Sequence, residues 1–180
     1  MYGKIIAAVR TEQELSDALL SAVDTVFYLT PSVFTLAPAV EKAHARGKKL
    51  FIHMDLTEGV GKDRAGLQLV KNMHADGIIS TRGSIIKMAK EAGLFTVQRF
   101  FLVDSHSVET IVETIKSVKP DMAEIMPGVV PKVMTSLKGT VPIPIIAGGL
   151  IDSREEIEKA IEGGAAAVSI GKKEFWEAGK

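Results

Sequence analysis

The sequence predicts a compact (βα)8 barrel, in which eight parallel strands alternate with helices and the eighth helix is truncated. Short β-branched or aromatic runs recur at roughly 20 to 27 residue intervals, and a stretch with helical periodicity follows each run. No two runs are joined by a tight hairpin turn, which disfavours an antiparallel sheet. The predicted strands are residues 5–9, 26–29, 50–54, 77–80, 96–102, 121–125, 143–147 and 166–170. A doubly wound open sheet is the alternative fold.

The first and seventh helices carry clear start signals. Thr11 is followed three residues later by Glu14, and Ser153 by Glu156, which is the capping-box pattern. The first helix also has an apolar face, which indicates packing against the barrel. The predicted members of this face are Leu15, Ala18, Leu19, Ala22 and Val23.

The end of the chain predicts the truncated helix, because only residues 173–180 follow the last strand. Phe175 and Trp176 lie on this stub. We favour a role in sealing the gap between neighbouring helices, and contact with another subunit is the alternative. A homodimer is therefore one expectation.

Composition limits the classes of function. A chain of 180 residues that is 46% hydrophobic can bury a sizeable core, and we expect one domain over residues 1–180. Lys plus Arg and Asp plus Glu both number 22, so no global field indicates a nucleic-acid or membrane surface. The sequence has no cysteine, no stretch long enough to span a bilayer and no signal-peptide pattern. We expect a cytoplasmic protein.

Two glycine-bearing strand ends predict a phosphate site. The seventh strand ends in Gly148-Gly149 and the eighth in Gly171-Lys172. Glycine lets the main chain approach a ligand closely, and the helix start at residues 152–156 would offer N–H groups to an anion. In a (βα)8 barrel the turns after strands seven and eight are a frequent phosphate site. The alternative is a pair of ordinary strand-to-helix turns.

Alternation along the strands predicts which side chains point into the barrel. On the third strand Phe51, His53 and Asp55 point inward, whereas Leu50, Ile52 and Met54 face the helices. On the other strands the inward set includes Arg10, Glu124, Ser169 and Gly171. The fifth strand leaves open whether Gln98 or Arg99 faces inward.

The predicted barrel mouth combines cations with carboxylates. It holds Arg10, Asp55, Arg82, Glu124 and, in one of the two alternatives, Arg99. Cations and main-chain amides suit a phosphate, and carboxylates accept hydrogen bonds from hydroxyls. The set therefore indicates a small polyol phosphate, and ion pairs that merely satisfy one another are the alternative. Replacing Asp55 or Glu124 should weaken binding and leave folding intact, because groups at a wet rim contribute little stability.

Several chemistries lack their motifs. Residues 59–62 lack the spacing and the Ser/Thr of a Walker loop, and the sixth strand has no lysine for a Schiff base. The histidines show no paired metal-ligand spacing, so we expect no metal. They are His44, His53, His74 and His106.

Five segments carry a resemblance to a known family. They are residues 53–59 (His-Met-Asp-Leu-Thr-Glu-Gly), 77–82 (Gly-Ile-Ile-Ser-Thr-Arg), 98–102 (Gln-Arg-Phe-Phe-Leu), 119–128 with its Lys-Pro-Asp, Glu124 and Pro-Gly, and 144–149 (Pro-Ile-Ile-Ala-Gly-Gly). Together they resemble the glycerol uptake operon antiterminators over nearly the whole chain. The resemblance implies a barrel of the triosephosphate isomerase type without a cofactor, whose effector is glycerol 3-phosphate. It also implies action on leader mRNA to prevent premature transcription termination.

One segment departs from the family pattern. Small hydroxyl or amide residues follow the eighth strand in such proteins, whereas Gly171-Lys172-Lys173 stands here, so Lys172 is expected to add a cation. RNA binding rests on the resemblance alone, because the sequence has no stacking motif of the single-strand-binding kind. The competing hypothesis is a barrel enzyme acting on a small sugar phosphate, with Asp55 or Glu124 as general base.

Overall fold

The protein is a closed barrel of eight parallel strands, β1 to β8 in chain order, in a computed structural model that describes residues 5–104 and 106–177. The strands are Ile5–Val9, Thr25–Tyr28, Lys49–His53, Gly77–Ser80, Phe95–Phe101, Met122–Met126, Ile145–Gly148 and Ala167–Ile170. Helices α1 to α7 are Glu12–Leu20, Val33–His44, Arg64–Asn72, Gly83–Glu91, Ser107–Val118, Pro131–Lys138 and Arg154–Glu162. Because β8 pairs with β1, the predicted barrel is confirmed and the open sheet is excluded.

The eighth helix is reduced to a single 3-10 turn, Lys173–Phe175. Phe175 and Trp176 are only 6% and 2% exposed, and the Trp176 indole N–H donates to the Ile170 carbonyl at 2.8 Å. These side chains therefore seal the outer layer of this chain. Their burial within the chain disfavours the alternative, in which they meet another subunit.

The capping boxes of α1 and α7 are both present, as predicted. The apolar face of α1 is shorter than predicted, because the helix ends at Leu20 and the extended main chain of Ser21 follows. Leu15, Ala18 and Leu19 are buried, but Ala22 is exposed. The prediction was wrong at Ala22 because helical periodicity no longer applies beyond the end of the helix.

Two apolar layers form the core, as alternation requires. Side chains of the outer face, among them Leu50, Ile52 and Met54, pack with the helices. The barrel interior contains its own apolar cluster. Its members are Ile6, Phe27, Leu29, Phe51, Ile79, Val97, Ile146 and Ala167.

The fifth strand, β5, has Arg99 inside the barrel and Gln98 outside. Val97, two residues before Arg99, belongs to the interior cluster. A Cβ built on Gly83, the first residue of α4, would lie 3.6 Å from Gln98 Nε2, so Gln98 packs in the helix layer. The carboxyl end of the barrel interior therefore contains a buried guanidinium.

None of the described helices is long and apolar enough to cross a membrane.

Candidate ligand-binding site at the barrel mouth

A buried polar network connects three strands below the mouth. The Arg99 Nε–H donates to Glu124 Oε2 at 2.6 Å, and the Ser169 hydroxyl donates to Glu124 Oε1 at 2.5 Å. Glu124 is fully buried, and Arg99 is 7% exposed. A buried ion pair needs additional hydrogen bonds to offset its desolvation, and Ser169 provides one. The Arg99 Nη groups donate to no other described residue, so they remain available to a ligand.

Gly148 is a glycine because the network leaves no room for a side chain. A Cβ on residue 148 would lie 2.6 Å from both Glu124 Oε1 and Ser169 Oγ. The main chain at the end of β7 therefore passes directly against the buried network. The Gly128 N–H, in the loop after β6, donates a hydrogen bond to the Gly148 carbonyl at 2.6 Å.

The turn after β7 has the main-chain conformation of a close-approach site. Gly149 has a φ of 72°, which suits glycine, and Leu150 follows with a φ of 58°. Among the residues that the structure describes, no hydrogen-bond acceptor is found for the N–H groups of Gly149 and Leu150. Two adjacent free donors can bind an anion.

The turn after β8 is joined to the turn after β7 by a lysine. Lys172 Nζ donates to the Asp152 carbonyl at 3.1 Å and lies 3.7 Å from Asp152 Oδ2. The N–H groups of Gly171 and Lys172 also have no acceptor within the described ranges. The two glycine-bearing turns are therefore neighbours, as the sequence predicts, with a cation between them.

The start of α7 differs from the expectation. The Glu156 carboxylate accepts from the N–H groups of Asp152 and Ser153 at 2.8 and 3.2 Å, and Ser153 Oγ accepts from the Glu156 N–H. Its own capping box thus occupies three N–H groups and adds a negative charge. Any anion in this part of the mouth must use the preceding turn, at Gly149 and Leu150.

Asp55 lies in the 3-10 turn Met54–Leu56 and is directed toward the end of β4. Its carboxylate accepts from the Ser80 hydroxyl at 2.9 Å and from the N–H and hydroxyl of Thr81 at 2.7 and 2.9 Å. Burial acts to raise the pKa of Asp55, but these hydrogen bonds outweigh it and hold the pKa below its usual value. Asp55 is therefore an anion that braces the loop after β4.

The remaining predicted cations lie at the rim. Arg82 caps the start of α4, is mostly exposed, and has its Nε 3.7 Å from Asp55 Oδ1. Arg10 ends β1 and is exposed, and its main chain is held by Glu14 and Thr30. Neither guanidinium belongs to the buried network.

His53 is the polar interior residue that the predicted site left out. It is 3% exposed, and no described residue hydrogen-bonds to its Nδ1. Burial, together with the nearby positive charge of Arg99, lowers the pKa of His53 to about 4. The ring is therefore neutral at pH 7. Inward alternation on β3 was the signal that could have included it.

Comparison with known proteins places the chain in a family. The model of the "Glycerol-3-phosphate responsive antiterminator" family matches residues 5–176. The chain belongs to this family. The sequence resemblance to antiterminators is thus confirmed over nearly the whole chain.

Three relatives are similar along their whole length. The uncharacterized protein YgcP of Escherichia coli K12 is 36% identical over 98% of this chain and 93% of its own. The crystal structure of a glycerol uptake operon antiterminator regulatory protein from Listeria monocytogenes is 33% identical, with a TM-score of 0.92 over 99% of this chain and 97% of that one. A glycerol uptake operon antiterminator-related protein from Thermotoga maritima, also known from a crystal structure, is 31% identical. Its TM-score is 0.87 over 98% of this chain and 99% of that one.

The geometry changes one expectation about stability. Glu124 was expected to be a wet rim group whose loss leaves folding intact, but it is fully buried and paired. Removing one partner of a buried pair leaves an uncompensated charge. The expectation was therefore wrong for Glu124.

Within the described part of the chain, no group of three or more His, Asp or Glu residues could hold a metal ion.

Proposed function

We propose that this protein is a transcription antitermination regulator that binds glycerol 3-phosphate at the barrel mouth and acts on the leader mRNA of glycerol-utilisation genes. The observation that carries the proposal is the juxtaposition of two free-amide turns with the buried network of Arg99, Glu124 and Ser169. The family to which the chain belongs supports the choice of effector and of process.

In this proposal the phosphate binds to the turns after β7 and β8. The N–H groups of Gly149, Leu150, Gly171 and Lys172 would donate to its oxygens, and Lys172 would add a positive charge. The glycerol portion extends toward the interior. There the Arg99 Nη groups can donate to hydroxyl oxygens, and carboxylate oxygens can accept from hydroxyl protons.

For RNA we propose contact on the mouth side of the barrel. Two aromatic side chains are exposed there, Phe34 at 87% and Phe101 at 56%, and each offers a face on which a base can stack. Arg10 and Arg82 lie on the same side. Because the chain has no net charge, affinity should depend on a few cations and respond to salt with a shallow slope.

The enzyme hypothesis receives less support from the carboxylates. A general base needs a pKa near the working pH and must be free to gain a proton. Hydrogen bonds lower the pKa of Asp55, and Glu124 is committed to a buried ion pair with Arg99. We therefore propose a regulator in preference to a sugar-phosphate enzyme.

The proposal is tested by titrating leader RNA against the protein with and without saturating glycerol 3-phosphate. We expect tighter RNA binding with the effector, and by linkage the RNA should raise effector affinity by the same factor. Phe101→Ala should weaken RNA binding, whereas Phe95→Ala is the control, because Phe95 is 42% exposed at the opposite end of β5. Equal RNA affinity with and without effector, or turnover of a sugar phosphate, would refute the proposal.

A further inference from the structure

The barrel interior contains one polar side chain whose hydrogen bonds are not met by the protein. Among the described residues, two buried side-chain atoms lack a hydrogen-bond partner, His53 Nδ1 and Gln98 Oε1. Gln98 lies in the helix layer, beside Gly83. His53 is the last residue of β3, and Phe51, two residues earlier, belongs to the interior cluster, so strand alternation directs the His53 side chain into the space enclosed by the strands. Buried polar groups normally have partners, so an unmet one inside a candidate site indicates a ligand.

His53 belongs to the same part of the interior as the buried network. Strand register pairs His53 with Ile79 of β4, and Ile79 with Val97 of β5, two residues before Arg99, so His53 and Arg99 both lie at the carboxyl end of the barrel interior. The charges of Arg99, Asp55 and Lys62 all act on the His53 ring. Burial and the Arg99 charge hold the pKa of His53 at about 4. At pH 7 the ring therefore has one N–H donor and one acceptor nitrogen. A hydroxyl also donates once and accepts, so the two groups are complementary.

We propose that His53 is a specificity residue that contacts a hydroxyl of the bound polyol phosphate, and that it thereby distinguishes a polyol phosphate from inorganic phosphate. This inference rests on the proposed function, because it assumes that the phosphate binds at the turns after β7 and β8. It assigns the ligand a direction, with the phosphate at the glycine-bearing turns and the hydroxyl end at β3.

Calorimetry with two probes tests the inference: glycerol 3-phosphate and inorganic phosphate. The wild-type protein should bind glycerol 3-phosphate at least about tenfold tighter than inorganic phosphate, the equivalent of one hydrogen-bonded contact. His53→Phe, which keeps a ring and removes both nitrogens, should lower the affinity for glycerol 3-phosphate about tenfold. It should leave the affinity for inorganic phosphate unchanged. His53→Gln, which restores an amide near the ring nitrogens, should recover most of the affinity.

The matched control is Phe51→Leu, an interior substitution two residues earlier on β3 that should leave both affinities unchanged. If His53→Phe does not fold by thermal melting, His53→Ala provides the same comparison with His53→Gln. Equal binding of glycerol 3-phosphate by the wild-type protein and the apolar variant would overturn the inference. So would equal wild-type affinity for glycerol 3-phosphate and inorganic phosphate. Failure of the wild-type protein to bind glycerol 3-phosphate at all would instead overturn the proposed function.

Discussion

Gly148 lies so close to Glu124 that a Cβ on residue 148 would stand 2.6 Å from Glu124 Oε1. The same Cβ would stand 2.6 Å from Ser169 Oγ, so one glycine makes room for the whole hydrogen bond between β6 and β8. The close main-chain approach at β7 and the buried carboxylate are therefore parts of one arrangement. A substitution at either position should disturb the other.

Gly148→Ala should lower the free energy of unfolding by about 1–3 kcal/mol, the usual cost of overpacking a buried site. It should also weaken glycerol 3-phosphate binding, because the methyl group displaces the Glu124 carboxylate. Chemical denaturation and calorimetry measure the two effects. Gly139→Ala is the control, since its Cβ would meet only the Ser136 carbonyl at 3.9 Å. Equal stability of the two variants would contradict the close contact.

Arg99→Met should destabilise the protein by about 3–5 kcal/mol, because it leaves the Glu124 carboxylate buried and unpaired. Combining it with Glu124→Gln should restore part of that loss, so the double variant should be more stable than the sum of the single effects predicts. A double-mutant cycle by urea denaturation measures the coupling. The pair Arg64 and Glu91, whose side chains are 73% and 57% exposed, is the control and should couple by less than about 1 kcal/mol. Additive effects at Arg99 and Glu124 would be evidence against the buried pair.

His53 should make stability depend on pH in the acid range. Burial lowers the pKa of His53 in the folded protein to about 4 from the ordinary 6.5 of a histidine, so between these values the unfolded state binds more protons. Stability should therefore rise with pH across this window. Acidification from pH 6.5 to pH 4 should lower the free energy of unfolding by about 3 kcal/mol, at 1.36 kcal/mol per pH unit.

Denaturation of His53→Phe across the same window should show a shallower slope than the wild-type protein. His74→Asn is the control, because His74 is exposed with a φ of 60° that asparagine tolerates. It should retain the wild-type slope. An unchanged slope in His53→Phe would show that other groups cause the acid dependence.

Trp176→Ala should destabilise the protein by about 3–5 kcal/mol, since a buried indole and its hydrogen bond to Ile170 are lost. Phe34→Ala is the control, because Phe34 is 87% exposed and its loss should change stability by less than about 0.5 kcal/mol. Thermal melting measures the loss of stability that a sealing role predicts, and light scattering measures the change in oligomeric mass that a subunit contact predicts. A changed oligomeric mass with unchanged stability would favour the subunit-contact role that the burial of Trp176 disfavours.

Much of the architecture could be predicted from local pattern. Strand alternation assigned Phe51 and His53 inward, and Thr11 and Ser153 marked the helix starts, because these signals depend on neighbours a few residues away. The end of α1 was predicted less well, since periodicity does not indicate where a helix stops. The site was predicted as a set of residues, without its pairings.

The sequence alone determined that strands and helices alternate in eight units and that two glycine-bearing turns follow the last strands, because chain order and side-chain period dictate both. Only the tertiary structure decided that the sheet closes into a barrel, which side of β5 faces inward, and that Arg99, Glu124 and Ser169 form one buried network. The hydrogen bonds of this network join residues 25 and 45 positions apart, which strand register brings together and local sequence does not encode.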